Sequence, residues 1–258
     1  MSKIILRIIL GICILSILGF GALIARELYT DWQSQTFYDE LSSRVVRRAH
    51  THSHSNEDDA DEEQPDNNEL IEWVPYVDFE TLDEIYPGIV GWIKLDGTPI
   101  DYPVMQYIDN DFFLSHLPDG TQHRSGSIFL DYRNSSDFSD KSILIYGHES
   151  RAGDMFGALK KFRNHDFFAE NPIIHLHTPE DDYIITVFAG YIANAALDHP
   201  PMHFENNEEF LEYIDRIYDR AIFHNLDIEI TEADRIVGLV TCTYDFNDAR
   251  LIIVGIIK

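Results

Sequence analysis

The first long run of hydrophobic positions covers residues 8–25, eighteen uncharged residues in succession. As a helix this run is about 27 Å long at ~1.5 Å per residue, which is enough to cross the hydrocarbon core of a bilayer. Lys3 and Arg7 precede it, and basic residues favour the cytoplasmic side. The pattern predicts a membrane anchor over residues 1–26, with the rest of the chain outside the cell. A cleaved signal peptide is the alternative, but Leu23 stands where such a peptide needs a small residue.

Residues 27–72 combine a short helical pattern with a strongly acidic stretch. Four apolar side chains recur at helical spacing and predict a helix next to the membrane: Trp32, Phe37, Leu41 and Val45. The stretch "HTHSHSNEDDADEEQPDNNE" then contains almost no apolar residue, so it cannot bury enough surface to fold and predicts an extended linker. Its alternating His50, His52 and His54 could bind a metal ion, although we favour a solvated linker.

Alternating and continuous apolar segments dominate residues 73–258 and predict one mostly β domain. Strands are predicted at "IVGWIKL", "IDYPVMQ", "GSIFLD", "SILIYG", "IIHLHT", "YIITVFAGYIA", "RIVGLVTCT" and "ARLIIVGIIK". One apolar stripe runs through residues 206–223 and predicts the clearest helix, and "DMFGALKKF" predicts one or two helical turns. Loops rather than regular helices join most strands. A closed or nearly closed β-barrel with peripheral helices therefore fits better than a doubly wound sheet.

The charge of the chain excludes one class of partner. Of its 258 residues, 45 are acidic and 19 basic, which gives a formal net charge of −26. A protein that binds nucleic acid needs a basic face for the phosphates. We therefore do not expect nucleic acid to be a partner.

The two cysteines of the chain are Cys13, within the predicted anchor, and Cys242, within a predicted strand. If the β domain lies outside the cell, Cys242 has no partner for a disulfide inside that domain. A buried structural cysteine and a nucleophile are both compatible with this position.

The spacing of Cys242 and Arg250 along the chain predicts that the two residues are neighbours in the sheet. If the last two strands form a hairpin around "YDFND", Cys242 lies opposite Arg250, with Cβ atoms roughly 4.5–5.5 Å apart. A neighbouring cation stabilises a thiolate and can also hold an oxyanion. The alternative is that Arg250 only pairs with Asp245 or Asp248 at the end of the hairpin.

A thiol nucleophile also needs a group that exchanges protons with the substrate. His148 is the best candidate among twelve histidines, because "SILIYGHES" places it directly after a strongly apolar strand and a glycine. A rigid strand end can present such a side chain to a substrate.

The order His148, Cys242, Arg250, in "YGHES", "TCTYDF" and "ARLIIVG", resembles the sortases, the membrane-anchored cysteine transpeptidases of Gram-positive bacteria. The segments "GWIKLDGTPIDYPVMQYIDNDFFLSHLPDG" and "GSIFLDYRNS" and the helix before the cysteine strand are similar to class B. The resemblance covers residues 76–258. It implies an eight-stranded β-barrel as the fold of the catalytic domain, which we place at 73–258.

The resemblance also implies a reaction. Cys242 would attack the carbonyl after threonine in a C-terminal sorting motif, Arg250 would stabilise the oxyanion, and His148 would protonate the leaving amine. The partners would be secreted proteins that carry the motif, an amine of peptidoglycan or its precursor, and membrane lipid around the anchor; no metal or organic cofactor is needed. We also expect Thr241 and Tyr244, which flank the cysteine, to contact substrate. Alternatives are an extracellular cysteine hydrolase without transfer and a non-catalytic surface-binding domain.

Overall fold

The computed structural model describes residues 3–46, 76–150 and 153–258. The predicted linker and its three histidines therefore lie outside the described residues, as does the start of the predicted domain at residue 73. The helices are α1 Lys3–Val45, α2 Phe79–Ile85, α3 His165–Glu170 and α4 Asn207–Arg220, with 3-10 helices at Phe112–Leu114 and Phe156–Arg163. The strands are β1 Ile89–Lys94, β2 Asp101–Met105, β3 Ile128–Leu130, β4 Ser142–Tyr146, β5 Ile173–His177, β6 Asp182–Asn194, β7 Ala221–His224, β8 Arg235–Cys242 and β9 Ala249–Ile257.

Eight of these strands close into a barrel, which confirms the predicted fold. The strand order is β5-β1-β2-β3-β4-β8-β9-β6-β7, and an additional pairing of β5 with β6 closes the ring. Strand β7 pairs with β6 outside this ring. Closure satisfies the backbone groups that an open sheet would leave unpaired at its edges.

The structure corrects the end of the predicted fourth helix. The apolar stripe suggested a helix through residue 223, but α4 ends at Arg220 and the next four residues form β7. In β7, Ala221 pairs with Tyr191 and Phe223 pairs with Gly190 of β6. Pairing with the edge of β6 thus determines the conformation of residues 221–224, because tertiary contacts outweigh the local preference for a helix.

Two apolar layers lie on the two faces of the barrel wall. Inward side chains such as Ile143, Leu239 and Ile253 form the largest cluster inside the barrel. Their neighbours Leu144, Val240 and Ile252 belong to a second cluster on the outer face, which α4 covers. Successive residues of a strand point to opposite faces, so these two sets alternate along β4, β8 and β9.

Helix α1 joins the predicted anchor and the predicted juxtamembrane helix into one continuous element. Its apolar first part is exposed, and the helix is long and apolar enough to cross a membrane. Its last turns pack on the barrel, where Leu41 and Val45 are buried with Leu82 and Trp92. Trp32 shares the predicted stripe but is 58% exposed.

We expect Leu41→Ala to destabilise the barrel, because its buried side chain fills the contact between α1 and Trp92. Removing a buried leucine typically costs about 2 kcal/mol or more of unfolding free energy. Thermal unfolding of the full chain in detergent measures the effect, and the exposed Trp32→Ala is the matched control. Equal melting temperatures for the two variants would show that α1 does not pack on the barrel in solution.

Candidate active site

Strand β8 brings the three predicted site residues into one row. It pairs in parallel with β4, where Tyr146 lies opposite Val240, and the ladder continues because Gly147 N–H donates to Val240 O at 3.1 Å. His148 comes two residues after Tyr146 and Cys242 two residues after Val240, and the two side chains form a hydrogen bond. On the other side, β8 pairs antiparallel with β9 and Cys242 lies opposite Arg250, as the hairpin spacing predicted. The three residues therefore neighbour one another on the outer face of the barrel.

Gly147 makes the position of His148 possible. A Cβ atom at residue 147 would lie 2.6 Å from Ile128 Cδ1 and 2.7 Å from Phe156 Cγ, both in the barrel core. Side chains in such a core cannot move far without cost. Only glycine thus allows the chain to pass this close to the core before it presents His148 at the surface.

The His148 imidazole is held from two sides. Its Nε2 lies 2.6 Å from Leu114 O, and the ring also forms a hydrogen bond with the Cys242 thiol. The bond with Cys242 is the main cause that raises the pKa of His148, and the Leu114 carbonyl adds to it; burial and the charge of Arg250 act in the opposite direction. The site thus favours the imidazolium.

The Cys242 thiol is partly exposed, unlike a structural cysteine sealed in a core. Its pKa lies below the ordinary value, mainly through the hydrogen bond with His148 and with help from the positive charge of Arg250, while burial opposes the shift. A lowered pKa increases the fraction of thiolate, which is the nucleophilic form.

Arg250 does not pair with either aspartate of the hairpin, contrary to the alternative considered from the sequence. Asp245 instead accepts hydrogen bonds from Arg163, the shortest at 2.5 Å, and from the Thr243 hydroxyl. The bonds with Arg163, followed by that with Thr243, lower the pKa of Asp245 to about 2. Arg250 Nη1 donates to its neighbour's carbonyl, Ala249 O, at 3.0 Å, and forms no ion pair with the residues that the structure describes. Its guanidinium therefore keeps N–H groups for a ligand.

A cleft of about 460 Å³ opens beside Cys242. Both predicted substrate-contacting residues line it: Thr241 is 3% exposed and Tyr244 is 75% exposed. The hydroxyl oxygen of Thr241 has no hydrogen-bond partner among the described residues. Asp245, considered above as a partner of Arg250, also lines the cleft. The remaining residues of its wall were not predicted from the sequence, namely Glu149, Gly157, Lys160, Arg163, Thr243 and Leu251.

A metal centre has no support in the described ranges. Within residues 3–46, 76–150 and 153–258, no group of three or more His, Cys, Asp or Glu side chains is arranged to hold a metal ion. The chemistry that the described site offers is that of a thiol, an imidazole and a guanidinium.

Comparison with known proteins adds independent findings, although no family model matches the chain. Sortase B of Listeria monocytogenes is 28% identical over 257 residues, covering 99% of this chain and 96% of the relative. Sortase B of Staphylococcus aureus is 31% identical over 179 residues, covering 69% and 73%. Among solved structures, Clostridium perfringens sortase B shares 34% identity with a TM-score of 0.66, covering 70% of this chain and 100% of that one.

The closed barrel and these likenesses define a sortase, a cysteine transpeptidase. Within that class the chain belongs to the sortase B family, in agreement with the resemblance of its motifs to class B. The particular roles of His148, Cys242 and Arg250 stay predictions, which their shared position on one barrel face supports.

We expect alkylation of Cys242 by iodoacetamide to rise with pH around a midpoint below the ~8.5 of an ordinary thiol, because only the thiolate reacts. The lowered pKa means that thiolate is present at lower pH. His148→Gln removes the main cause and shifts the midpoint upward. Mass spectrometry of the peptide that contains Cys242, over a pH series of the full chain, measures this midpoint.

The matched control is His165→Gln, which removes an imidazole whose side chain is highly exposed and lies outside the cleft. This variant should keep the midpoint of the unaltered chain. The same midpoint in His148→Gln would contradict an interaction between the imidazole and the thiol in solution.

Proposed function

We propose that this protein is a membrane-anchored transpeptidase that cleaves a sorting motif after threonine and transfers the acyl group to an amine of the cell wall. The observation that carries the proposal is the row of His148, just after β4, Cys242 in β8 and Arg250 in β9, beside an open cleft. A thiol, a proton carrier and a cation are the three groups that acyl transfer through a thioester requires.

Acylation begins with the thiolate of Cys242, which attacks the carbonyl carbon of the scissile peptide bond. The carbonyl oxygen becomes negatively charged, and Arg250 stabilises this charge with N–H groups that no described carboxylate occupies. The C–N bond then breaks, and the imidazolium of His148 gives its proton to the departing amine. The product is a thioester on Cys242 and a neutral His148.

Deacylation reverses the proton transfer. An incoming amine attacks the thioester, the C–S bond breaks, and the electron pair returns to sulfur as thiolate. His148 takes the proton that the nitrogen loses, which restores the imidazolium and thiolate. With Nε2 held by Leu114 O, the other ring nitrogen serves this exchange, so the carbonyl fixes which side of the ring faces the substrate.

The substrate class is supported by the relatives. A solved structure of Staphylococcus aureus sortase B in complex with substrate shares 31% identity and a TM-score of 0.66 with this chain. A sorting motif of the Asn-Pro-x-Thr or Leu-Pro-x-Thr type fits the cleft in chemical terms, because the specified residues of both motifs are uncharged. The charged groups Arg163 and Asp245 on the cleft wall are already paired with each other.

Helix α1 supports the proposed location at the membrane. Its exposed apolar part is the anchor of the proposal, with Lys3 and Arg7 on the cytoplasmic side and the barrel outside the cell. In this arrangement residues 1–26 hold the enzyme in the membrane, residues 27–72 space it from the bilayer, and residues 73–258 carry catalysis. The last turns of α1 pack on the barrel and so connect the proposed anchor directly to the catalytic domain.

We expect Cys242→Ala to abolish both peptide cleavage and amide formation, because no other described thiol lies in the cleft. Arg250→Ala should lower kcat/KM by about a hundredfold or more, the usual effect of losing one oxyanion donor. The assay incubates the chain with a panel of sorting peptides and an excess of triglycine, and separates amide from free acid by mass spectrometry.

Arg216→Ala is the matched control, since Arg216 is an exposed arginine on α4 outside the cleft. Unchanged melting temperatures exclude unfolding as the cause of any loss. Amide formation by Cys242→Ala would reject the assignment. Free acid as the only product of the unaltered chain, even with excess amine, would instead identify a hydrolase.

A further inference from the structure

Glu149 is a buried carboxylate in the cleft that acyl transfer, as described above, does not use. It directly follows His148, and its side chain lines the cleft together with Cys242. That side chain is only 7% exposed. Its negative charge also acts against the lowering of the Cys242 pKa, as expected of a carboxylate close to the thiol.

The two carboxylate oxygens of Glu149 differ in their hydrogen bonding. Oε1 accepts a hydrogen bond from Lys160 Nζ at 2.8 Å. Oε2 is shut off from solvent and has no hydrogen-bond partner among the described residues. Buried polar atoms in folded proteins nearly always have a partner, and a carboxylate oxygen without one destabilises the fold. An unpartnered oxygen at a cleft wall therefore points to a donor that a ligand brings.

The other charged groups of the cleft have partners within the chain. Asp245 is bound by Arg163 and by the Thr243 hydroxyl. Lys160 is bound to Glu149. Of the two carboxylates on the described cleft wall, Glu149 is thus the one with an oxygen that still lacks a donor.

The two substrates of a transpeptidase need opposite partners. The acyl donor develops negative charge on its carbonyl oxygen and needs N–H donors, which Arg250 supplies. The acceptor amine carries N–H groups, and positive charge while it is an ammonium, so it needs an anionic acceptor. Both signs of charge lie close to one thiol, because Arg250 is opposite Cys242 in the β8–β9 ladder and Glu149 is on the cleft wall.

We propose that Glu149 binds the acceptor amine, with Oε2 accepting a hydrogen bond from its N–H as the nitrogen approaches the thioester on Cys242. This inference rests on the proposed transpeptidase function. Lys160 is 49% exposed, whereas the Glu149 side chain is 7% exposed. Binding of the amine therefore requires a turn of the carboxylate that brings the buried Oε2 to the cleft while Oε1 keeps its contact with Lys160.

Glu149 exchanges no proton in the proposed step. The bound ammonium first releases one proton to solvent and becomes the nucleophile. Its nitrogen then forms the new C–N bond, the C–S bond breaks with its electron pair going to sulfur, and the second proton goes to His148. Glu149 accepts a hydrogen bond and no proton, so it is a binding residue for the amine rather than the general base.

The test compares Glu149→Gln with the unaltered full chain in detergent, using the sorting peptide that the unaltered chain cleaves fastest. Two amines are supplied separately: triglycine, which is an ammonium at neutral pH, and hydroxylamine, which is uncharged there. We expect the ratio of amide to free acid with triglycine to fall about tenfold and the KM for triglycine to rise by a similar factor, the usual effect of losing a charge-assisted hydrogen bond. The ratio with hydroxylamine should change much less.

The matched control is Asp166→Asn, which neutralises a carboxylate that is 90% exposed and lies outside the cleft. Amide formation by the unaltered chain establishes the proposed function in the same assay, so an unchanged triglycine ratio in Glu149→Gln overturns the inference about Glu149 alone. Equal losses with triglycine and hydroxylamine also overturn it, because they indicate a structural role. An unaltered chain that forms no thioester overturns both proposals.

Discussion

The register of β8 between β4 and β9 is the constraint on which the site depends. A slip of one residue on either side would turn Cys242 away from His148 or Arg250, because successive side chains point to opposite faces. Hydrophobicity alone does not fix this register, since both faces of β8 are apolar and buried. The backbone ladders of β8 with β4 and with β9 hold it instead. At Gly238 a Cβ atom would lie 2.9 Å from Leu144 Cδ2, which is the end of a flexible side chain and can move. The position of the thiol therefore depends on the pairing of β8 with both of its neighbours.

The position of His148, Cys242 and Arg250 on the barrel determines the chemistry of the site. Cys242 lies on the outer face of the barrel, beyond the part that α4 covers, and is partly exposed. Neighbouring groups therefore shift its pKa, and the thiol is still accessible to a ligand. The lowered pKa of Cys242 and the raised pKa of His148 are two consequences of one hydrogen bond. Thiol and imidazole consequently titrate as a pair, and Arg250 favours the thiolate while it disfavours the imidazolium. The same guanidinium thus acts on both titrating groups of the pair, and in the reaction that we propose it also stabilises the oxyanion.

Contacts between residues close together along the chain could be predicted from the sequence, and contacts between distant residues could not. The hairpin that pairs Cys242 with Arg250 could be predicted, because a short loop sets its register. The contact of His148 with Cys242 depends on a parallel pairing of distant strands, which strand patterns do not reveal and which only the resemblance to a family suggested. Leu114 was missed because it acts through a backbone carbonyl, which any residue provides. Arg163 was missed because its partner Asp245 is 82 residues away.

The negative charge of the chain affects which ligands are attracted towards this cleft. With a net charge of −26, the protein attracts cations and repels anions over distances of about a Debye length, ~8 Å at physiological ionic strength. Among the few cations of the chain, Lys160 and Arg163 lie on the cleft wall and are neutralised there by Glu149 and Asp245. The long-range field therefore does not oppose the approach of an ammonium. For the acceptor amine that we propose, the field thus acts before the amine makes any contact with the site.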